Sequence, residues 1–176
     1  VDTDAPHWTS TTKLASSADK GPIYTVNDST ALGVDFAFGN VSAAQQLALA
    51  NGGGAVVGAN VVNWFKGIPV TGFRDHSVKG LLGDVINADP LYVQAFNYGY
   101  DKLLDYSSGT ATPGAGANLY PGYVAAKKRT YNTDGSTNVA GRTPMLYVGS
   151  NDGQLHAFKA ETGVEVMSFI PAGVYV

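Results

Sequence analysis

The three histidines are the first candidates for chemistry in this chain: His7, His76 and His156. A hydrolytic triad needs a histidine held by a carboxylate against a serine, threonine or cysteine nucleophile. His156 lies in the middle of an alternating, strand-like segment, where packing between sheets is the ordinary role of this residue. His76 directly follows Asp75, and adjacent residues do not face each other, while His7 lies near the start of the chain. No enzyme signature follows from these positions.

A second candidate is a calcium loop, because oxygen-bearing side chains occupy every second position from Asn132 through Asp134 and Ser136 to Asn138. The remainder of an EF-hand pattern is missing. A glycine directly follows Asp134 instead of standing at the sixth loop position, and Thr143 stands where the bidentate glutamate belongs. A polar hairpin loop is therefore the favoured interpretation, and we expect no metal site and no cofactor in this segment.

Nucleotide and thiolate sites are also disfavoured. The glycine-rich stretch 51–58 follows a predicted helix, whereas a phosphate-binding loop follows a strand and opens a helix. The chain contains no cysteine, so it has neither a thiolate metal site nor a disulfide framework. Trp8, Trp64 and the ten tyrosines could line a glycan-binding or protein-binding surface, but they are scattered in sequence and core packing is favoured.

The C-terminal part of the chain has the pattern of three consecutive strands. Alternating segments cover Met145–Ser150, Gln154–Ala160 and Val164–Ile170, separated by the turns Asn151–Gly153 and Glu161–Gly163. Asp-Gly between two such segments is a strong hairpin signal, because glycine adopts the positive φ of a tight turn without strain. Three strands joined in this way form a meander, the unit of a propeller blade.

Two helices are predicted upstream. The first covers residues 40–50, with Ser42 as its cap, Gln45 as the capping-box partner, and Asn51 followed by glycine as its end. The second covers Val56–Lys66 and is followed by a glycine. Its apolar face is predicted to comprise Val57, Val61, Trp64 and Phe65.

The other segments are expected to be short elements and loops. A cluster of Asp84, Asn87 and Asp89 before Pro90 is typical of a turn that enters a strand. The expected elements are a loop or short strand at 81–84, a strand at Leu91–Ala95, a helical turn at Tyr98–Tyr106, a flexible insertion at Ser107–Asn118, a short helix at Tyr123–Arg129 and a polar loop at Asn132–Gly141.

Composition favours a secreted or surface-exposed β-rich protein. Of the 176 residues 14% are charged, against about a quarter in ordinary soluble domains. The net charge of −3 gives no reason to expect nucleic acid or an anionic membrane as partner. No apolar run approaches the length of a membrane span. The only basic run, Lys127–Arg129, is interpreted as a solvated helix end.

We expect both ends of the chain to be cuts within a longer protein. Residues 1–35 are interpreted as a loop-rich lead-in with a strand candidate at Ile23–Val26, and residues 36–176 as the start of a domain whose single complete meander spans about 142–170. No repeat is visible at blade period, and a closed propeller has about four to eight blades. The chain alone therefore cannot contain a closed propeller.

Several segments resemble the PilC/PilY family of type IV pilus tip-associated biogenesis factors and adhesins. Residues 143–158 (TPMLYVGSNDGQLHAF) resemble the first-blade motif of that family. Residues 43–47, 62–67 and 73–93 resemble its upstream motifs in the same order, so the resemblance covers roughly 36–176. Gln154, where an apolar residue is expected, is a small departure. The positions assigned as structural motif residues are Leu82, Gly83, Asp84, Asn87, Pro90, Pro144, Gly149, Asn151, Asp152, Gly153, His156, Thr162 and Gly163.

The resemblance implies a mainly β fold with short helices, the incomplete start of a modified quinoprotein-like β-propeller. It implies a non-catalytic role in pilus biogenesis and adhesion, in which the protein stabilises or caps the pilus tip and opposes retraction. The implied location is the pilus tip or the outer-membrane surface of a bacterium. The implied partners are minor pilins, the remaining blades and an unidentified host or surface ligand. Family members carry a calcium loop in a later blade, so no metal residue is carried over to this chain.

Two other interpretations stay open. The segments 147–153 and 160–163 also resemble the general quinoprotein repeat, so the chain could be a blade of a PQQ-type dehydrogenase. Such an enzyme needs a carboxylate base and a calcium-held cofactor at the propeller axis, and neither can be assigned here. The third interpretation is a generic propeller domain that binds other proteins.

Overall fold

The computed structural model describes residues 8–76, 80–102, 104–105, 112–113, 115–131, 137–139 and 141–175. The chain forms two compact units, one from Val1–Leu91 with Leu146–Val176 and the other from Tyr92–Met145. In chain order the helices and strands are α1 (Ser10–Lys13), β1 (Ile23–Asn27), β2 (Leu32–Asp35), α2 (Ala43–Ala50), α3 (Gly54–Phe65), β3 (Leu91–Val93), β4 (Leu104–Asp105), β5 (Thr112–Pro113), α4 (Ala115–Lys127), β6 (Thr130–Tyr131), β7 (Thr137–Val139), β8 (Met145–Gly149), β9 (Leu155–Lys159) and β10 (Glu165–Phe169).

A mixed sheet of six strands, in the order β2-β1-β10-β9-β8-β3, is the main β structure. The three predicted C-terminal strands are confirmed as β8, β9 and β10, each within one residue of its expected ends. The antiparallel pairing of β9 and β10 continues the meander. On the other side of β10 lies β1, which is parallel to it and places Ile23 opposite Ser168. The strand candidate of the lead-in is thus confirmed as β1, and β2 follows it in the same sheet.

Helix α2 confirms the predicted cap. The Ser42 hydroxyl accepts a hydrogen bond from the Gln45 N–H at 3.2 Å, and Gln45 Oε1 accepts one from the Ser42 N–H at 2.9 Å. The helix ends at Asn51, which has φ 43° in the left-handed region. Gln45 is fully buried, and its amide also donates to Val26 O at 2.9 Å. The capping residue therefore ties α2 to strand β1.

Helix α3 differs from the prediction in its start and in part of its buried face. It begins at Gly54, and Val61 and Phe65 pack against the core as predicted, whereas Val57 is 37% exposed and Val62 is buried instead. The reason is Gly58, where an added Cβ would lie 2.1 Å from the Phe38 ring. This close approach turns the neighbouring face inward. The core that results comprises Ile23, Phe36, Val41, Leu49, Val62 and Ile170.

A second core covers the β8–β9 hairpin. Its buried members are Leu14, Leu81, Val148 and Phe158, with Trp8, Leu82 and Leu146 packed around them. The N–H of Leu81 donates to Leu14 O at 3.1 Å, so the segment expected as a loop or short strand at 81–84 is anchored to the end of α1. The hairpin is therefore covered by chain segments that are remote from it in sequence.

The unit Tyr92–Met145 departs most from expectation. The insertion predicted over Ser107–Asn118 contains strand β5, which pairs with β4, and the first residues of α4. Helix α4 starts at Ala115 rather than Tyr123 and runs through Pro121, although proline removes one helical donor. The predicted turn at Tyr98–Tyr106 is a 3₁₀-helix at Tyr100–Lys102, and β3 ends at Val93 rather than residue 95.

The calcium-like pattern falls mostly outside the described part of the chain. Asn132, Asp134 and Ser136 are outside the described residues, and Asn138 lies in β7. Across the described ranges no group of three His, Cys, Asp or Glu residues is placed to hold a metal ion. In those same ranges, no helix has the length and apolarity required to cross a membrane.

Candidate functional site: an ionic cluster beneath the hairpin turn

His156 lies at the centre of a buried group of charged side chains, which we call the ionic cluster: Lys20, Asp152, His156 and Glu165. The His156 side chain is fully buried in β9. Its Nδ1 lies 2.6 Å from Glu165 Oε1, and its Nε2 lies 3.0 Å from Asp152 Oδ2. One imidazole ring therefore bridges a carboxylate in the hairpin turn and a carboxylate in the next strand.

A β-bulge places Glu165 on the same face of the sheet as His156. In the register of β9 and β10, Met167 lies opposite Ala157 and Glu165 lies opposite Phe158. Two steps along β10 thus match one step along β9, and Val166 is the extra residue. Without the bulge, the alternation of side chains would direct Glu165 to the other face. This irregularity of β10 is therefore what completes the cluster.

The turn itself holds Asp152 in place. Asp152 Oδ1 accepts hydrogen bonds from the Ser150 hydroxyl at 2.5 Å and from the Gln154 N–H at 2.9 Å. Asp152 Oδ2 accepts a third from the N–H of Gly83 at 3.1 Å. An added Cβ at Gly83 would lie 2.6 Å from the Asp152 backbone nitrogen, so the close approach of the two segments requires glycine there.

Lys20 provides the second cation from the segment before β1. Its Nζ lies 3.6 Å from Glu165 Oε1 and donates to Gln154 Oε1 at 3.2 Å. The same Gln154 oxygen accepts a hydrogen bond from the Ser168 hydroxyl at 2.8 Å. The Lys20 side chain is 3% exposed, and a buried charge needs paired groups around it. Gln154, which departs from the expected apolar residue, serves as such a group.

The pKa values follow from this geometry. Burial disfavours the imidazolium, but hydrogen bonds to Asp152 and Glu165 outweigh it, so the pKa of His156 is raised. Burial also opposes ionisation of Asp152, but hydrogen bonds from His156 and Ser150 lower its pKa from 3.8 to about 2. Burial lowers the pKa of Lys20, and Glu165 partly offsets this effect. With His156 and Lys20 protonated, two cations face two carboxylates.

Ser150, His156 and Glu165 have the outline of a hydrolytic triad, but a second carboxylate faces the ring nitrogen that would act as the base. Ser150 Oγ lies 3.2 Å from His156 Nε2, and Glu165 orients Nδ1. A triad histidine must be neutral to accept the serine proton. Here a carboxylate faces each ring nitrogen, and this arrangement favours the imidazolium, which has no lone pair free to act as a base. The serine hydroxyl donates to Asp152 instead.

Curated proteins similar to this chain are type IV pilus biogenesis factors. A PilY1 homolog of Xylella fastidiosa (strain Temecula1) is 39% identical over 92 residues, which is 52% of this chain. PilY1 of Pseudomonas aeruginosa (strain UCBPP-PA14) is 32% identical over 119 residues, 67% of this chain. PilY1 of P. aeruginosa strain PAO1 is 33% identical over 95 residues, 54% of this chain.

The chain belongs to the PilY1-type family. It spans only 6–8% of the length of the PilY1 relatives that it matches. No protein-family model and no solved structure matches it.

Several of the motif positions that resemble the PilC/PilY pattern meet around the cluster. Besides Gly83, Asp152 and His156, the structure brings Asp84 to the turn, where its carbonyl accepts a hydrogen bond from the Asn151 N–H at 2.9 Å. Gly153 has φ 79°, as a tight turn requires. Leu82 packs against the second core beside this turn. The upstream motif and the hairpin motif of the PilY1-type sequence are thus in direct contact.

Other motif positions lie away from the cluster. Asn87 has φ 57°, Pro90 directly precedes β3, Pro144 is buried just before β8, and Gly149 ends that strand. Thr162 and Gly163 form the second turn. An added Cβ at Gly163 would lie 2.4 Å from the Trp8 ring, whose Nε1 donates to Ala160 O at 2.7 Å.

Sequence reasoning missed Lys20, Ser150, Glu165 and Ser168 as members of the site. The charged Glu165 at the start of a mainly apolar strand is the one signal that could have found it, because buried carboxylates are rare unless they are paired. Nothing in the sequence around Lys20 indicates its partner, which is contributed by the opposite end of the chain.

Proposed function

We propose that this chain is a non-catalytic structural segment of a type IV pilus biogenesis factor. The relatives named PilY1 support this role, and the chain spans a small part of their length. By the same inference the parent protein acts at the pilus tip or the outer-membrane surface, outside the cell. There it stabilises or caps the tip, opposes retraction and contributes to adhesion. Its partners would be minor pilins and an unidentified host or surface ligand.

The proposed fold of the parent domain is a modified quinoprotein-like β-propeller. Strands β8, β9 and β10 support this proposal because they form a meander with short turns, the unit from which blades are built. Strands β1 and β2 extend the same sheet, and β1 is parallel to β10, unlike the strands of an ordinary antiparallel blade. The proposed blade therefore comprises β8–β10, with the remaining blades of the same protein as its neighbours.

The observation that carries the non-catalytic proposal is the bridging of His156 by Asp152 and Glu165. As a doubly hydrogen-bonded imidazolium, His156 would link the hairpin turn to β10 and could not serve as a base. The cluster's proposed role is mechanical, since it connects β9, β10, the turn and the segment before β1 by charged hydrogen bonds. Such bonds are about twice as strong as neutral ones. The thirteen motif residues are proposed to support this structure and not to bind a ligand.

The test is deletion of the parent gene in the bacterium that encodes it, followed by complementation. Deletion should abolish surface pili and twitching motility, and the parent gene should restore both. A gene with Asp152→Ala and Glu165→Ala should restore neither, whereas the exposed control Lys159→Gln on β9 should restore both. Unchanged piliation after deletion would contradict the proposal. Quinone cofactor absorbance with alcohol oxidation by the full-length protein would support the dehydrogenase interpretation instead.

A further inference from the structure

The unit Tyr92–Met145 carries an open cleft of about 260 Å³ whose walls are mainly aromatic. We call it the tyrosine cleft, and it is defined by Tyr98, Tyr100, Tyr120 and Tyr123 with Lys127 and Arg142. Tyr98 is 68% exposed, Tyr100 54% and Tyr123 53%. Core packing, which the sequence favours for tyrosines, is therefore wrong for these three residues.

Tyr120 makes contacts with each of the three exposed tyrosines of the cleft. Its hydroxyl accepts a hydrogen bond from the Tyr98 N–H at 2.9 Å. Its ring packs edge-to-face with Tyr100 at 5.2 Å and nearly parallel to Tyr123 at 6.3 Å between centroids. Tyr120 thus contacts the rings of Tyr100 and Tyr123 and the backbone of Tyr98, whose own ring packs edge-to-face with Phe96. Rings that are ordered before binding lose little conformational entropy when a ligand arrives.

Two cations lie together at one side of the cleft. Lys127 ends α4, and its Nζ lies 5.8 Å from the centroid of the Tyr123 ring. The N–H of Arg142 donates to Lys127 O at 2.8 Å, which fixes the two residues beside each other. Both side chains are exposed. Among the described residues that line the cleft, none is acidic.

The sequence of the unit Tyr92–Met145 has a net positive charge, like the side chains of the cleft. Residues 92–145 contain five basic and three acidic residues, whereas the whole chain has a net charge of −3. An anionic group is therefore the electrostatic complement of this cleft, and apolar or aromatic groups are the complement of its rings.

We propose that the tyrosine cleft binds an acidic peptide segment of a partner protein. An apolar or aromatic side chain of the peptide enters between Tyr98, Tyr100 and Tyr123. A neighbouring carboxylate pairs with Arg142, whose planar guanidinium accommodates two carboxylate oxygens, and with Lys127. Tyrosine and arginine are the residue types that dominate binding energy at protein interfaces. This inference concerns the unit that does not contain the ionic cluster, and it does not depend on the proposed function.

A peptide fits this cleft better than a sugar or an amphipathic helix. Sugar sites use acidic and amide side chains to bond neighbouring hydroxyls, and the described lining has Gln94 as its only side chain of those types. Grooves for amphipathic helices are lined by aliphatic and methionine side chains. Apart from Ala95 and Val124, the described apolar lining of this cleft is aromatic.

The experiment selects phage-displayed random peptides on the immobilised full chain. A parallel selection uses the Tyr98→Ala, Tyr123→Ala double variant. We expect the parent alone to enrich peptides in which Asp or Glu neighbours an apolar or aromatic residue. A synthetic consensus peptide should bind the double variant and Arg142→Gln about tenfold more weakly or worse. Tyr24→Ala, at a half-exposed position on the sheet, is the matched control and should bind like the parent.

Each other outcome overturns the proposal. The proposal is wrong if the enriched peptides share no acidic consensus, or if the parent and the double variant bind the peptide equally. It is also wrong if a peptide in which Asn and Gln replace Asp and Glu binds as well as the original. Tetragalacturonic acid is the sugar probe, and its binding by the parent in place of any peptide would assign the cleft to an acidic glycan. Because the substituted tyrosines are exposed, circular dichroism should show both variants folded, and a loss of fold would contradict the described geometry.

Discussion

The Nδ1 atom of His156 lies 2.6 Å from Oε1 of Glu165, and both side chains are fully buried. This bond joins adjacent strands on a face of the sheet that Glu165 reaches only because of the bulge at Val166. With Asp152 on the other ring nitrogen, His156 connects three segments of the chain through one side chain.

Replacement of His156 by glutamine should destabilise the fold strongly. Glutamine cannot carry the positive charge, so two buried carboxylates would face each other with Lys20 as the remaining cation. Loss of one partner of a buried ionic pair costs about 3–5 kcal/mol. Urea unfolding followed by circular dichroism measures this free energy. Lys159→Gln, on an exposed position of the same strand, should change it by less than about 0.5 kcal/mol. Equal effects of the two variants would contradict the role of the cluster.

Stability should have a maximum in mildly acidic solution. The pKa of His156 is raised above 6.5 in the folded state, so its stabilisation is complete below pH 6.5 and is lost as the pH rises through the folded pKa. The pKa of Asp152 is lowered from 3.8 to about 2, so its stabilisation is complete above pH 3.8 and is lost as the pH falls toward 2.

Lys20 belongs to the same cluster. Its lowered pKa makes stability rise with pH, opposite to the effect of His156. The burial penalty of its ammonium group is relieved as the pH rises. Unfolding free energies measured from pH 3 upward on the parent and on His156→Gln separate the two effects, because the variant retains Lys20. The decline above pH 6.5 should be present in the parent and absent in the variant. A decline of the same size in both proteins would assign it to another group.

Alanine at Gly83 should loosen the contact between the upstream loop and the turn. Gly83 has no positive φ, so the effect is steric: the new Cβ would lie 2.6 Å from the Asp152 nitrogen, which is backbone and cannot move aside cheaply. Overpacking of this kind costs about 1–3 kcal/mol. Gly33→Ala is the matched control, since nothing lies within 4 Å of its added Cβ. Thermal unfolding should give Gly83→Ala a lower midpoint temperature than Gly33→Ala. Equal midpoint temperatures would contradict the close contact between Gly83 and the turn.

Valine at Gly153 should destabilise the hairpin, because φ 79° is strained for a β-branched residue. Alanine at Gly163 should do the same, with the Trp8 ring as an additional obstacle. We expect about 1–3 kcal/mol for each substitution. Gly149 is the control, since it has no positive φ and has open space around it. Amide hydrogen exchange in β9 should be faster in both variants than in Gly149→Ala. Unchanged exchange would refute the turn assignment.

Local signals were enough to predict much of the fold. The capping box of Ser42 and Gln45, the Asp152-Gly153 turn and the alternation of three strands each depend on residues a few positions apart. The helix in the second unit shows the limit of such signals. Pro121 argues for a later start, yet α4 continues through it from Ala115.

The site could be predicted only in part, because its members are contributed by remote segments. Asp152 and His156 are recognisable in the hairpin sequence, but Lys20 reaches Glu165 through the parallel pairing of β1 with β10. That pairing has no local sequence pattern. The bulge at Val166 changes the face to which Glu165 points, and a strict alternation of residues cannot show it.

The nitrogen chemical shifts of the His156 ring test the central claim most directly. Nuclear magnetic resonance of the full chain labelled with ¹⁵N at histidine reports whether each ring nitrogen carries a proton. At neutral pH we expect both His156 nitrogens to be protonated and hydrogen-bonded, as an imidazolium between Asp152 and Glu165 requires. A neutral ring with an unprotonated Nε2 facing Ser150 would contradict the ionic cluster, and it would restore the triad as a working hypothesis.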